Sequence, residues 1–153
     1  MSRAREVARG GAAGAAATVL MSAFMAAAHR VGLLGEPPPR VIARAAADAA
    51  GATGADRDSG AVDAGALLAH VGFGVGAGAA YVALRPALPA AVPGPVAGVT
   101  FGLAVWAVSY SGWVPALGIL PPPTKDRPGR QPTMVLAHVV YGAALDAFAG
   151  RRR

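Results

Sequence analysis

Four stretches of the chain are nearly free of charge, and each is long enough to cross a bilayer. They run over about Gly10–Ala28, Ala64–Leu84, Pro95–Leu120 and Pro132–Gly150. Roughly 20 apolar residues in a helix cover the hydrocarbon core of a membrane. The period-two alternation of strands is absent, and a helix satisfies its own backbone hydrogen bonds in lipid. The pattern therefore predicts an all-α protein, built as a four-helix transmembrane bundle.

The composition supports a bilayer as the surrounding solvent and lipid as the main partner. Charged residues form 14% of the chain, against roughly 25% in soluble domains. The net charge of +6 comes from Lys and Arg residues that flank the apolar stretches. Nucleic-acid modules instead gather basic and aromatic residues on one face, so no nucleic-acid partner is expected. The absence of cysteine excludes disulfides and thiolate metal sites.

Similar segments recur along the chain and indicate an internal repeat. Leu-Ala-His-Val occurs at 68–71 and 136–139, and Ala-Gly followed by three prolines occurs at 13–39 and 97–123. Each copy reads as a helical hairpin. An even number of helices separates the copies, so they run in the same sense, as parallel repeats do. The prediction is a single membrane domain over 1–153.

The domain divides into unequal repeats. The first covers 10–84 with an insertion at about 40–61, and the second covers 94–150. In the insertion, Arg40, Arg44 and Asp48 share one helical face, with apolar side chains largely opposite. This spacing predicts a short interfacial amphipathic helix that starts after the prolines and ends at Gly51.

Glycines recur at the small-xxx-small spacing of closely packed membrane helices. Where a side chain is missing, two helices approach and gain dispersion contacts that lipid does not supply. The residues predicted to pack helices together are Gly14, Gly72, Gly76, Gly98, Gly102 and Gly142.

The chain has three histidines, and the predicted helices bring them towards one side of the membrane. His29 ends the first helix, while His70 and His138 lie about two turns into the second and fourth. Three imidazoles at one depth would bind a transition metal, or two would ligate a haem. The alternative is that each neutral imidazole hydrogen-bonds between helices and fixes their packing. No Ser-His-carboxylate order or phosphate-binding loop is present, so no catalytic residue is predicted.

Charges at the helix ends suggest an orientation. Arg3, Arg5, Arg9 and the run Arg151–Arg153 lie close to the outer ends of the first and fourth helices. The positive-inside rule then favours both termini in the cytoplasm. Asp146 is the single charge inside the fourth stretch and is expected to pair with the terminal arginines or to reach water.

The layout resembles the YagU-like family of uncharacterised inner-membrane proteins. The matching features are Ala13-Gly14, the proline segments at 37–40 and 121–123, His70, and the segment 137–142. The chain lacks the acidic residue that the family has shortly before the last His. The resemblance implies a bacterial inner-membrane location and a role in envelope or acid stress, without catalytic residues.

Three functional hypotheses follow. The first is a small structural, accessory or envelope-stress membrane protein. The sequence favours this non-enzymatic role over an enzymatic one. The second is a metal-binding or haem-binding redox subunit that uses His70 and His138. The third is a transporter or channel subunit, which needs oligomerisation because four helices enclose only a narrow path. A homo-oligomer or a membrane-protein partner is consistent with each hypothesis.

Overall fold

A computed structural model describes residues 2–56 and 60–150, and the regular structure in these residues is helical. In chain order, the α-helices are α1 Arg3–Arg30, α2 Pro38–Ala49, α3 Gly60–Leu84, α4 Gly94–Val108, α5 Val114–Ala116 and α6 Arg130–Ala149. A π-helical turn, Ser109–Trp113, joins α4 to the short α5. The predicted all-α fold is confirmed.

Four helical segments are long and apolar enough to span a membrane: Arg3–Arg30, Gly60–Ala87, Gly94–Ala116 and Arg130–Ala149. Large apolar side chains such as Leu68, Val108 and Leu136 are exposed on the outside of the bundle. In water such a surface would be costly, but lipid solvates it. The fold therefore fits a membrane protein.

The four long helices form an open row. α1 packs against α3, α4 packs against α6, and α1 and α6 join the two pairs, while α3 and α4 scarcely meet. The order across the bundle is therefore α3, α1, α6, α4. α3 and α4 meet where the ring centroids of Tyr81 and Phe101 lie 5.3 Å apart. Away from this contact a gap remains between the two helices, with α1 and α6 behind it.

Glycine contacts close the two helix pairs. A Cβ on Gly14 of α1 would overlap the carbonyl oxygen of Gly74 in α3. On the other pair, a Cβ on Gly98 of α4 would overlap the carbonyl oxygen of Gly142 in α6. Only glycine lets these backbones touch, so the helices gain dispersion contacts along both seams. Gly102 makes a similar approach to the carbonyl of His138.

In α3 the contacting glycines are Gly74 and Gly78, in place of the predicted Gly72 and Gly76. A Cβ on Gly72 or Gly76 would have open space around it. Both pairs have the same four-residue spacing, and they project from nearly opposite sides of the helix. Spacing alone does not tell which side meets α1.

The third spanning segment ends at Ala116, four residues before the predicted Leu120. Pro115 has no N–H for the helix, and its ring would clash with the carbonyl of residue 111 in a regular α-helix. The wide π-turn at Ser109–Trp113 lies where this clash would fall. Gly118 then adopts φ +70, which leaves the helical region.

The predicted amphipathic helix in the insertion is present as α2. It ends before Gly51, which has φ +86 and serves as the turning residue. On its polar side, Arg40 Nε lies 2.7 Å from Asp63 at the start of α3. Arg44 Nη1 lies 2.5 Å from Glu36 in the preceding loop. The first pair holds α2 beside the N-terminal half of α3, and the second joins α2 to its own preceding loop.

Asp146 has a partner that the sequence did not reveal. The Tyr81 hydroxyl of α3 donates a hydrogen bond to Asp146 Oδ1 over 2.7 Å. This bond ties the far ends of α3 and α6 together across the bundle. The expected pairing with Arg151–Arg153 lies outside the described residues, as does Arg57 in the insertion.

Candidate functional site

A cavity of about 520 Å³ lies in the half of the bundle that holds α2. Its walls come from α1, α2, α3, the π-turn and α6, and include Met21, Ile42, Phe73 and Trp113. Among the described residues that line it, none carries a charge. Two imidazoles, those of His70 and His138, are the main polar groups on its walls.

The cavity arises from the shape of the helix packing. In the half where α1 begins and α6 ends, the glycine contacts bring the backbones together. In the other half, Met21 and Met25 occupy the inner face of α1, and Met134 that of α6. These longer side chains keep the helices apart, and the bundle opens like a wedge towards α2.

His138 is a buried polar residue on the cavity wall, with 5% of its surface exposed. Its Nδ1 lies 2.7 Å from the carbonyl oxygen of Met134, one turn earlier in α6. A carbonyl only accepts, so Nδ1 carries the proton of this bond. In a neutral ring the other nitrogen, Nε2, is then an acceptor. Neutrality is expected because no described lining residue is charged.

His70 faces the same cavity from α3. Its Nδ1 lies 3.2 Å from the hydroxyl oxygen of Ser22 on α1, a bond that links the two helices. The direction of this bond depends on the tautomer of the ring. The alternative to metal binding was that each imidazole hydrogen-bonds between helices, and His70 makes such a bond. Its ring also lines the cavity.

His29 lies apart from the other two histidines. Its ring is exposed and hydrogen-bonds the carbonyl of Gly35 in the loop after α1. Over residues 2–56 and 60–150, no three His, Cys, Asp or Glu side chains are grouped closely enough to hold a metal ion. The structure therefore brings His70 and His138 to one cavity without His29, and metal binding stays a prediction.

A buried polar network borders the cavity and was missed by sequence reasoning. Tyr110, which lines the cavity from the π-turn, donates its hydroxyl hydrogen to Asp126. Arg130, at the start of α6, lies 3.3 Å from Asp126, and its Nε donates to the carbonyl of Leu34 over 3.0 Å. The sequence did show Asp126 and Arg130 at the four-residue spacing of an ion pair. This spacing does not indicate that the pair is buried.

Comparison with known proteins connects the chain to one family. A family model, described as a family of unknown function (DUF6789), matches residues 4–152. The chain belongs to DUF6789. No curated protein and no solved structure matched this DUF6789 chain. The resemblance to the YagU-like family stays a prediction, and the cavity is the feature of the DUF6789 chain that bears on its function.

Proposed function

We propose that the protein is a small, multi-pass, non-enzymatic membrane protein that holds an apolar molecule taken from the bilayer. The observation that carries the proposal is the uncharged cavity of about 520 Å³ between the two helix pairs. Its volume lies within the range of small-molecule sites. Such a role makes the accessory-protein hypothesis more specific.

The position of the cavity supports a ligand that arrives from lipid. α3 and α4 scarcely meet, so the gap between them faces the hydrocarbon side of the bundle. Phe73 on α3 and Trp113 beside α4 line the cavity and are also partly exposed at the surface. An apolar molecule diffusing in the bilayer can enter between these side chains without crossing water.

The lining groups favour binding over catalysis. The Ser109 hydroxyl donates to the carbonyl of Val105 over 2.6 Å, and the Tyr110 hydroxyl donates to Asp126. The Ser109 hydroxyl is hydrogen-bonded to a backbone carbonyl, and the carboxylate that accepts from Tyr110 is itself paired with Arg130, so neither hydroxyl is arranged as an activated nucleophile. Apart from the His70 and His138 imidazoles, the remaining lining surface is aliphatic, aromatic or thioether, which contributes contact area and no acid-base chemistry.

The test is a binding measurement on detergent-purified protein with 12-bromododecyl methyl ether as the apolar probe. Bromine quenches tryptophan fluorescence at short range, and Trp113 lines the cavity whereas Trp106 does not. In a Trp106→Phe background, the probe should quench Trp113 saturably. Ala69→Phe places a ring in the cavity and should weaken binding about tenfold or more, since it displaces much of the contact area.

The matched control is Ala83→Phe, an exposed position at the other end of α3 that does not line the cavity. It should leave the binding curve unchanged. Non-saturable quenching, or equal binding by both variants and the parent protein, would overturn the proposed function.

A metal or haem site is the second candidate, favoured by one observation. His70 and His138 line the same cavity, and His138 donates its Nδ1 proton to a backbone carbonyl, as metal-ligating imidazoles commonly do. An absorption spectrum and metal analysis of the purified protein test it. A haem band or a stoichiometric metal that is lost in His138→Leu would support the redox hypothesis. The absence of both signals would rule it out. No described feature favours the channel hypothesis, which stays a prediction.

We also infer that the two hairpins are parallel repeats. Equivalent glycines make equivalent contacts: Gly14 meets Gly74 in the first hairpin, and Gly98 meets Gly142 in the second. The placement in the cell membrane with cytoplasmic termini, and the interfacial position of α2, are proposals that rest on the charges beside the helices.

A further inference from the structure

The His138 imidazole on the cavity wall has one nitrogen that its hydrogen bond within α6 does not use. Within the described residues, Nδ1 of the His138 ring donates to the Met134 carbonyl, which leaves Nε2 of the neutral ring as an acceptor. The ring is 5% exposed and lines the cavity. As an acceptor on the wall of an uncharged cavity, Nε2 offers a site for a hydrogen-bond donor that a ligand brings.

The surrounding groups restrict which donor fits. A cationic headgroup would need a carboxylate, and an anionic headgroup would need Lys or Arg. Among the described lining residues there is neither. The hydroxyls of Ser109 and Tyr110 already donate to Val105 and Asp126. The cavity thus suits a neutral headgroup that donates one hydrogen bond, attached to an apolar body.

We infer that the ligand is a neutral lipid alcohol whose hydroxyl donates to Nε2 of His138 while its chain fills the apolar cavity. This inference rests on the proposed function and names the chemical class of its ligand. The thioethers of Met21, Met25 and Met134 are buried in the same half of the bundle and offer an adaptable surface to the chain. His70, hydrogen-bonded to Ser22, provides a second polar edge beside the headgroup.

The experiment compares two probes that differ in one hydrogen-bond donor. 12-Bromododecanol has a hydroxyl, and 12-bromododecyl methyl ether has the same chain without the donor. Quenching of Trp113 in the Trp106→Phe background should show the alcohol binding about tenfold more tightly than the ether, the scale of one buried hydrogen bond. His138→Leu should remove this preference. His29→Leu, a histidine outside the cavity, should keep it.

A second measurement needs no substitution at His138, so it is independent of whether that variant folds. In protein labelled with ¹⁵N-histidine, the Nε2 resonance of His138 should shift when the alcohol is added and stay in place with the ether. Equal affinity for both probes, or an unshifted Nε2 resonance at saturation with the alcohol, would overturn the lipid-alcohol inference and leave apolar binding intact. Failure of both probes to bind saturably would overturn the proposed function as well.

Discussion

At the scale of single residues, the position of glycine decides where the bundle is closed and where it is open. Gly14 and Gly98 lie against the backbones of Gly74 and Gly142, so α1 touches α3 and α4 touches α6 without intervening side chains. Further along α1, Met25 takes the inner position and the helices separate. The cavity is therefore a consequence of side-chain size along the seams.

Gly14→Leu should lower the free energy of unfolding in detergent, because its Cβ alone would overlap the carbonyl of Gly74. The expected loss is about 2 kcal/mol or more, the usual scale of overpacking. Gly76→Leu is the matched control, since a side chain there meets open space on the outer face of α3. Denaturant titration of both variants measures the difference. Equal losses would show that the glycine seam does not hold the two helices together.

The sequence revealed the glycine spacing and the common depth of His70 and His138, because both follow from helical periodicity. It did not reveal which side of α3 meets α1, since Gly72 and Gly74 belong to equally spaced pairs. It also placed His29 with the other histidines, whereas the ring bonds to Gly35 outside the cavity. Periodicity fixes the depth of a residue along a helix, and tertiary packing fixes the direction it faces.

At the scale of elements, the end of α4 and the start of α6 are fastened by polar groups in an otherwise apolar protein. Pro115 favours the wide turn that presents Tyr110, and the Tyr110 hydroxyl donates to Asp126. Arg130 then joins Asp126 to the carbonyl of Leu34, in the loop between α1 and α2. This chain of bonds spans three connections and frames the α2 side of the cavity. Its burial was not predictable, because the distant Leu34 carbonyl and the Tyr110 hydroxyl reach Asp126 and Arg130 only through tertiary packing.

Arg130→Met should destabilise the protein by about 3 to 5 kcal/mol, because it leaves the buried carboxylate of Asp126 without its cation. Thermal unfolding in detergent measures the loss. Lys125→Met is the control, since Lys125 is exposed in the same loop and should change stability by less than about 0.5 kcal/mol. A small effect at Arg130, similar to that at Lys125, would mean that the network does not fasten these loops.

At the scale of the whole molecule, the two helix pairs are tightly packed at one end of the bundle and open at the other. The tightly packed half, with the Tyr81–Asp146 bond, gives the bundle a fixed frame. The open half holds α2, the cavity and the two imidazoles, and its lateral gap leads to the surface that lipid would cover. Hydropathy predicted the four membrane spans. It did not predict the open row of helices, because the lipid-facing side and the packed side of a membrane helix are both apolar.

The absence of cysteine makes the membrane topology directly testable. Single substitutions Thr53→Cys and Lys125→Cys label the loops at the α2 end, and Ser2→Cys and Ala90→Cys label the opposite end; all four positions are exposed. With four spans and cytoplasmic termini, a membrane-impermeant maleimide should label Thr53→Cys and Lys125→Cys in intact cells. Ser2→Cys and Ala90→Cys should react only after permeabilisation. The reverse pattern would invert the orientation, and labelling of all four positions from one side would contradict a four-span fold.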